Sequence, residues 1–237
     1  MDENNEYHSI IKENLLDLKQ KDKNCAVFIL GSTCSGKSTV KKLYMSSLGK
    51  DISKFIDIDS DNVIEKMDSY KQLLKNNPLT AAQLSYQKAL NIVNKIYDYT
   101  KQNKYNFILN GTGKDYNYMS EEIKHLKTIG YEIYLCIVIV NNIDIILKRC
   151  IKRALKTKRI VPTTIIISSY NILKKNIPKY KSIDILSDLT IYNNTYKPKI
   201  IYKKNNLLKN IDYNIYKKKT KSNKSKSKKT KSKKYKN

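Results

Sequence analysis

The chain has 237 residues, 47 Lys and Arg against 21 Asp and Glu for a formal charge of +26, no Trp, and only six Gly and four Pro. Its longest apolar run, Ile133 to Val140, is far too short to cross a bilayer, and Met1 to Gln20 is acidic and polar, so neither a membrane span nor a secretory leader is expected. Cys25, Cys34, Cys136 and Cys150 contain no CxxC pair, which fits a reducing compartment, cytoplasmic or, in a eukaryotic host, nuclear, without a disulfide framework or zinc site.

In chain order, apolar spacing predicts an N-terminal helix within residues 1–22, around Tyr7 to Gln20. Cys25 to Leu30 (CAVFIL) reads as a short buried strand running into Gly31, and a helix follows from Lys37 to about Leu48, closed by Gly49. Phe55 to Ile58 is a second strand, ending at Asp59-Ser60-Asp61, with a helix from Asn62 to about Lys75. Pro78 suits the first turn of another helix, to about Lys101.

Tyr105 to Leu109 is a third strand, ended by Asn110-Gly111-Thr112-Gly113; a helix from Asp115 to Ile129 stops at Gly130, and Tyr131 to Val140 is a fourth strand. Helices from Asn142 to about Lys156 and from Pro162 to about Lys175 precede a last strand, Leu189 to Tyr192. Strands alternating with helices imply an α/β fold of three layers, with a mainly parallel central sheet of about five strands covered on both faces. One domain is expected over residues 23–200.

Residues 201–237 form a Lys-rich extension, in which Lys217 to Asn237 holds twelve lysines and no acid. Such a run cannot bury enough apolar surface to offset its ordering entropy, so disorder is expected from about residue 217. It serves either solubility or weak binding to nucleic acid or an anionic surface.

GSTCSGKS, Gly31 to Ser38, fits G-x-x-x-x-G-K-[ST] in its required context of a strand before and a helix after. Gly31 and Gly36 let backbone N–H groups converge on phosphates at a helix N-terminus, Lys37 neutralises the β and γ oxygens, and Ser38 ligates Mg²⁺. The nucleotide cradle therefore comprises Gly31, Ser32, Thr33, Cys34, Ser35, Gly36, Lys37, Ser38 and Thr39.

A triphosphate loop is shared by kinases, GTPases and motor ATPases. No NKxD guanine motif follows a strand, and no apolar strand ends in an Asp-Glu pair. Ile58-Asp59-Ser60-Asp61 instead places carboxylates at the end of a strand beside the phosphate loop, where one can take the proton of an acceptor hydroxyl; Asp61 can also cap the next helix.

All three arginines, Arg149, Arg153 and Arg159, lie within eleven residues of a chain that otherwise uses Lys. Arg153 and Arg159 read as forked clamps on phosphate oxygens, and Arg149 as structural. His8 and His125 have no partner at metal-ligand spacing.

Taken together, GSTCSGKST, IDIDSD, FILNGTG, KTIGYEIYLCIVIVNN and KRCIKRALKTKRIVP resemble the zeta toxin family of P-loop kinases in order and spacing, from about Cys25 to Asn194. The resemblance implies transfer of phosphate from ATP or GTP, with Mg²⁺, to a small hydroxyl-bearing substrate, typically a UDP-activated amino sugar at its 3-hydroxyl. By it Asp61 is the base, Thr112 a substrate contact, and Arg153 and Arg159 the phosphate-stabilising pair. With the phosphate-loop lysine the expected catalytic set is Lys37, Asp61, Arg153 and Arg159, and the expected substrate-side residues are Asp59, Asn110, Thr112 and Lys114. An antitoxin partner belongs to the same picture.

Where the family commonly has Glu-Gly-Thr and then Arg, this chain has Asn110-Gly111-Thr112 and Lys114, and no acid lies between Leu79 and Tyr97. These departures leave two alternatives open: a polynucleotide or nucleoside acceptor, and a nucleotide-binding switch without catalysis.

Overall fold

The computed structural model describes residues 24–78 and 80–205, with His8 and Ser9, both helical. The rest of the expected N-terminal helix, and the extension from residue 206, lie outside the described residues.

The central strand, β1 (Cys25–Gly31), is buried at every position, as expected of an apolar run covered on both faces. Its alternation sorts the core. Ala26, Phe28 and Leu30 face one cluster, with Ile64, Ile96, Ile123 and Leu173, while Cys25, Val27 and Ile29 face another, with Val40, Tyr44 and Met45.

The other strands are β2 (Ile56–Ile58), β3 (Phe107–Gly111), β4 (Glu132–Ile139), β5 (Asp188–Asn193) and β6 (Lys199–Asn205). The sheet order is β2-β3-β1-β4-β5-β6, parallel through β5, with β6 antiparallel to it. Around it run α1 (Lys37–Ser47), α2 (Ser60–Lys66), α3 (Asp68–Asn76), α4 (Ala81–Gln102), α5 (Tyr116–Thr128), α6 (Ile143–Thr157) and α7 (Thr163–Lys181). No described helix is long and apolar enough to cross a membrane.

Six details of the expected layout change. The sheet has six strands rather than about five, because KIIYKKN pairs on the edge of β5 although too exposed to show an apolar pattern. It is anchored by Lys203 Nζ, 3.9 Å from the buried Asp188 carboxylate, which also accepts from Tyr44 Oη at 2.8 Å and Thr190 Oγ1 at 2.7 Å. The expected domain limit at residue 200 therefore falls inside β6.

The single helix expected from Asn62 breaks at Met67, whose extended backbone (ψ 126°) turns its fully buried side chain into the core. The helix expected at Pro78 begins at Ala81, and the one expected to stop near Lys175 continues through Pro178 to Lys181. Finally, the second strand does not lie beside the phosphate-loop strand. β3 stands between them, pairing with both.

This order puts the β1–α1 loop, the β3–α5 loop and the start of α2 at the carboxyl ends of adjacent strands, the usual place for ligands in open α/β sheets.

Candidate active site

The β1–α1 loop is shaped by close approach. A Cβ on Gly31 would stand 2.5 Å from Ser35 Oγ and 3.0 Å from the Val138 carbonyl, and one on Gly36, at φ 88°, would strike the Asn194 amide. Asn194 Nδ2 donates to the Ser35 carbonyl at 2.8 Å, so the end of β5 buckles the loop from outside. Gly36 caps α1 with no side-chain bond, leaving the first helical N–H groups for an anion.

Lys37 Nζ folds back on its own loop, donating to the carbonyls of Gly31 at 2.9 Å and Ser32 at 3.4 Å. Burial lowers its ammonium below the usual lysine value, partly offset by Asp61 and Asp59. Ser32 and Ser35 are buried, Thr33 and Cys34 half-buried, and Ser38 and Thr39 exposed on the first turn of α1. Ser35 Oγ is buried and has no partner, an orphan hydroxyl inside the curve of the loop.

Asp59 caps α2 by accepting the backbone N–H of Asp61 at 2.9 Å, so the capping role falls to Asp59 rather than Asp61. Burial and the Asp61 charge push the Asp59 carboxyl up. Asp61, freed from capping, pairs with both expected arginines: Arg153 Nη1 at 3.3 Å and Arg159 Nη2 in direct contact. Burial alone would raise the Asp61 carboxyl, but the Arg159 hydrogen bond and the charges of Arg159, Arg153 and Lys37 outweigh it and hold it below its usual value.

Arg159 is buried despite its charge, and its pairing with Asp61 overcomes the desolvation that would otherwise favour losing its proton. Arg149 has the structural place expected of it. Its Nη2 donates to the carbonyls of Asn194 and Thr195, both at 2.9 Å, tying α6 to the same segment that buckles the loop.

The residues expected on the acceptor side form a separate set. Asn110 Nδ2 donates to Asp57 Oδ1 at 2.7 Å and to the Ile58 carbonyl at 3.2 Å, while the other Asp57 oxygen accepts from the buried Lys41. Both partners of that amide nitrogen are acceptors, which fixes the amide orientation and leaves Oδ1 as the free end.

Gly113 takes φ 70° with a would-be Cβ 2.6 Å from Leu173, so only glycine fits. Its carbonyl accepts from Asn176 Nδ2 at 3.1 Å and Tyr180 Oη at 3.2 Å, and that of Lys114 accepts from Asn176 at 2.8 Å. Thr112 and the Lys114 side chain are half-buried and make no described bond to the Asp61 cluster.

Sequence reasoning did not find Asp57, Lys41, Asn176 or Asn194. Asp57 lies one strand position before the IDSD run, and Asn194 ends a strand as Asp59 does; those strand-end addresses were the available signal.

The zeta toxin family profile matches residues 11–206. The chain belongs to the zeta toxin family. It is a nucleotide-dependent P-loop kinase.

Among solved structures it is similar to one of the PezAT chromosomal toxin–antitoxin system of Streptococcus pneumoniae, at 17% identity over 95% of this chain and 98% of that one, with a TM-score of 0.69. It is also similar to the AvrRxo1-ORF1:AvrRxo1-ORF2 structure with sulphate ions, at 11% identity over 90% of this chain and 69% of that one, TM-score 0.64. The related structure with ATP gives 9% identity over 91% and 69%, TM-score 0.60. At these identities the likeness is one of fold. No curated protein matches this zeta toxin family sequence.

Proposed function

We propose that this kinase transfers the γ-phosphoryl group of ATP or GTP to a hydroxyl of a small molecule, with a UDP-activated amino sugar the first substrate to test. The observation that carries this reading is one carboxylate, Asp61, held ionised between two forked guanidinium groups beside a phosphate loop.

In the proposed reaction the loop N–H groups and Lys37 hold the triphosphate, and Asp61 takes the proton of the attacking hydroxyl. Phosphate oxygens compete with Asp61 for Arg153 and Arg159. As those guanidinium groups turn to the charge spreading over the transferring group, Asp61 loses the partners that weaken it as a base.

Mg²⁺ fits the donor set. The exposed Ser38 hydroxyl is a hard oxygen beside Lys37, whose charge Asp59 reaches, and no cluster of three His, Cys, Asp or Glu cages a metal among the described residues. Water and phosphate oxygens would complete its shell, and bound there it supplies charge neutralisation at the β and γ oxygens.

Asn110, anchored by Asp57, offers Oδ1 to a substrate hydroxyl or amide N–H. It thus supplies an acceptor without the charge of the Glu common in the family. The PezAT likeness supports a further proposal, that a partner of antitoxin type covers this cleft.

Mass spectrometry of products from wild type and Asp61→Asn, given ATP, Mg²⁺ and a panel of UDP-sugars, nucleosides and 5′-hydroxyl oligonucleotides, tests the reading. A phospho-sugar made only by wild type supports it. Phosphorylated oligonucleotide would replace it with a nucleic-acid acceptor, and ATP binding without product would leave a switch.

A further inference from the structure

Cys34 occupies the tip of the phosphate loop at φ 60°, a left-handed conformation uncommon for a side chain other than glycine. Its side chain packs against the cluster formed by Val140, Ile146, Cys150, Ile166 and Tyr170, which brings it beside the Cys150 thiol of α6. Cys150 lies one residue after Arg149, which holds Asn194, and three before Arg153, which holds Asp61. The two sulfurs therefore join the nucleotide loop to the helix that carries the arginines.

We propose that Cys34 and Cys150 are a redox modification site, whose disulfide closes the phosphate loop to nucleotide.

The chemistry differs between the two members. The neighbouring Cys150 thiol lowers the Cys34 thiol to about 7, helped by the Arg153 and Lys37 charges against the opposing effect of burial. The same pairing pushes the Cys150 thiol up. Cys34 is thus the nucleophile, half-exposed and flanked by cations, and Cys150 the resolving thiol. Cys25 and Cys136 are buried in β1 and β4, and burial raises both, Cys25 to about 12.

With hydrogen peroxide as oxidant, the Cys34 thiolate attacks one peroxide oxygen, breaks the O–O bond and becomes a sulfenic acid, releasing hydroxide that takes a proton to form water. Cys150 sulfur then attacks the Cys34 sulfur; the S–O bond breaks, and hydroxide leaves with the Cys150 proton as a second water. Two thiols lose two electrons in total and one peroxide is reduced to two waters.

Forming the bond draws the sulfurs from packing contact to about 2.05 Å. Cys34 must follow, because α6 is fixed at both ends of this segment by Arg149 and Arg153. Its backbone N–H then leaves the converging geometry that a phosphate requires.

The closure rests on the proposed nucleotide role of the loop, whereas the cross-link does not, so the two are read separately. The full-length protein is treated with stoichiometric hydrogen peroxide, digested without reduction and analysed by mass spectrometry, and ATP binding is measured by calorimetry before and after. The expected result is a peptide pair joined through Cys34 and Cys150 with loss of two hydrogen atoms, and ATP affinity roughly tenfold weaker or worse, restored by dithiothreitol.

Cys150→Ser should bind ATP when reduced, yield no cross-link, and lose no more than about twofold in affinity on the same treatment. Absence of the Cys34–Cys150 pair overturns the site, and a cross-link that leaves ATP affinity unchanged overturns the closure. A reduced protein that binds no ATP overturns the kinase reading instead, with the cross-link still deciding the site.

Discussion

The two walls of the cleft are built by different means. The proposed donor wall is one continuous stretch, Gly31 to Thr39, whose groups for phosphate are mostly backbone N–H, held from a distance by the Asn194 side chain and by packing of Cys34 beside Cys150. The proposed acceptor wall is held by side chains from β2, β3 and α7, in which Asn110 meets Asp57 across 53 residues and the Asn176 amide meets the Gly113 carbonyl across 63. Backbone donors survive change in neighbouring side chains, whereas paired side chains must change together. Glu at position 110 would face the Asp57 carboxylate, so an amide there goes with an acid at 57.

The sharpest test of that contrast removes the arginines between the walls. Arg159→Ala should lower phosphoryl transfer by about 10³ to 10⁵ while ATP affinity changes far less, since its charge acts mainly in the transition state. If single-turnover kinetics show a loss of only a few fold, Arg159 belongs to the framework of the cleft and not to its chemistry.

Asp61→Asn comes next, with an expected fall in kcat of about 10² to 10⁴ and ATP binding retained. Equal loss of both would place Asp61 on the donor wall.

For the acceptor wall, Asn110→Glu sets two carboxylates against each other and should cost about 1–3 kcal/mol of stability, read by chemical denaturation. Adding Asp57→Asn restores an amide–carboxylate pair with the polarity reversed and an acceptor for Lys41. Failure of the double variant to recover would break the claim that the two positions change together.

Asn194→Ala leaves the Ser35 carbonyl without its buried donor and should cost about 1–2 kcal/mol. ATP affinity should weaken with it while the acceptor wall stays intact.

The smallest effect is in acid. The folded-state pKa of Asp61 lies below its unfolded value, so the stability it adds is complete above about pH 4 and is lost as pH falls through the lower folded value. The difference in melting temperature between wild type and Asp61→Asn should therefore be present at pH 7 and shrink as the pH falls below the ordinary carboxylate range.

The strand, loop and helix of the proposed donor wall were legible in the sequence because they are contiguous, and Gly31 and Gly36 mark places where a Cβ or a negative φ would fail. The sequence also singled out Arg153 and Arg159, through the rarity of arginine, though not their pairing with Asp61. It did not carry the place of β2, since sheet order is a matter of crossovers rather than of local pattern. Nor did it carry Asn194 and Asn176, single polar residues whose partners are far away in the chain. β6 escaped because an exposed edge strand has no alternation to read.

The Asn194 buckle also bears on how the protein is made. The phosphate loop is synthesised early, but the residue that holds it comes 159 positions after Ser35. At roughly 5–20 residues per second a ribosome needs on the order of 10–30 s to cover that distance. A nascent chain thus displays the whole GSTCSGKS sequence well before its clasp exists, and a release just short of residue 194 yields a chain with the motif but without the clasp.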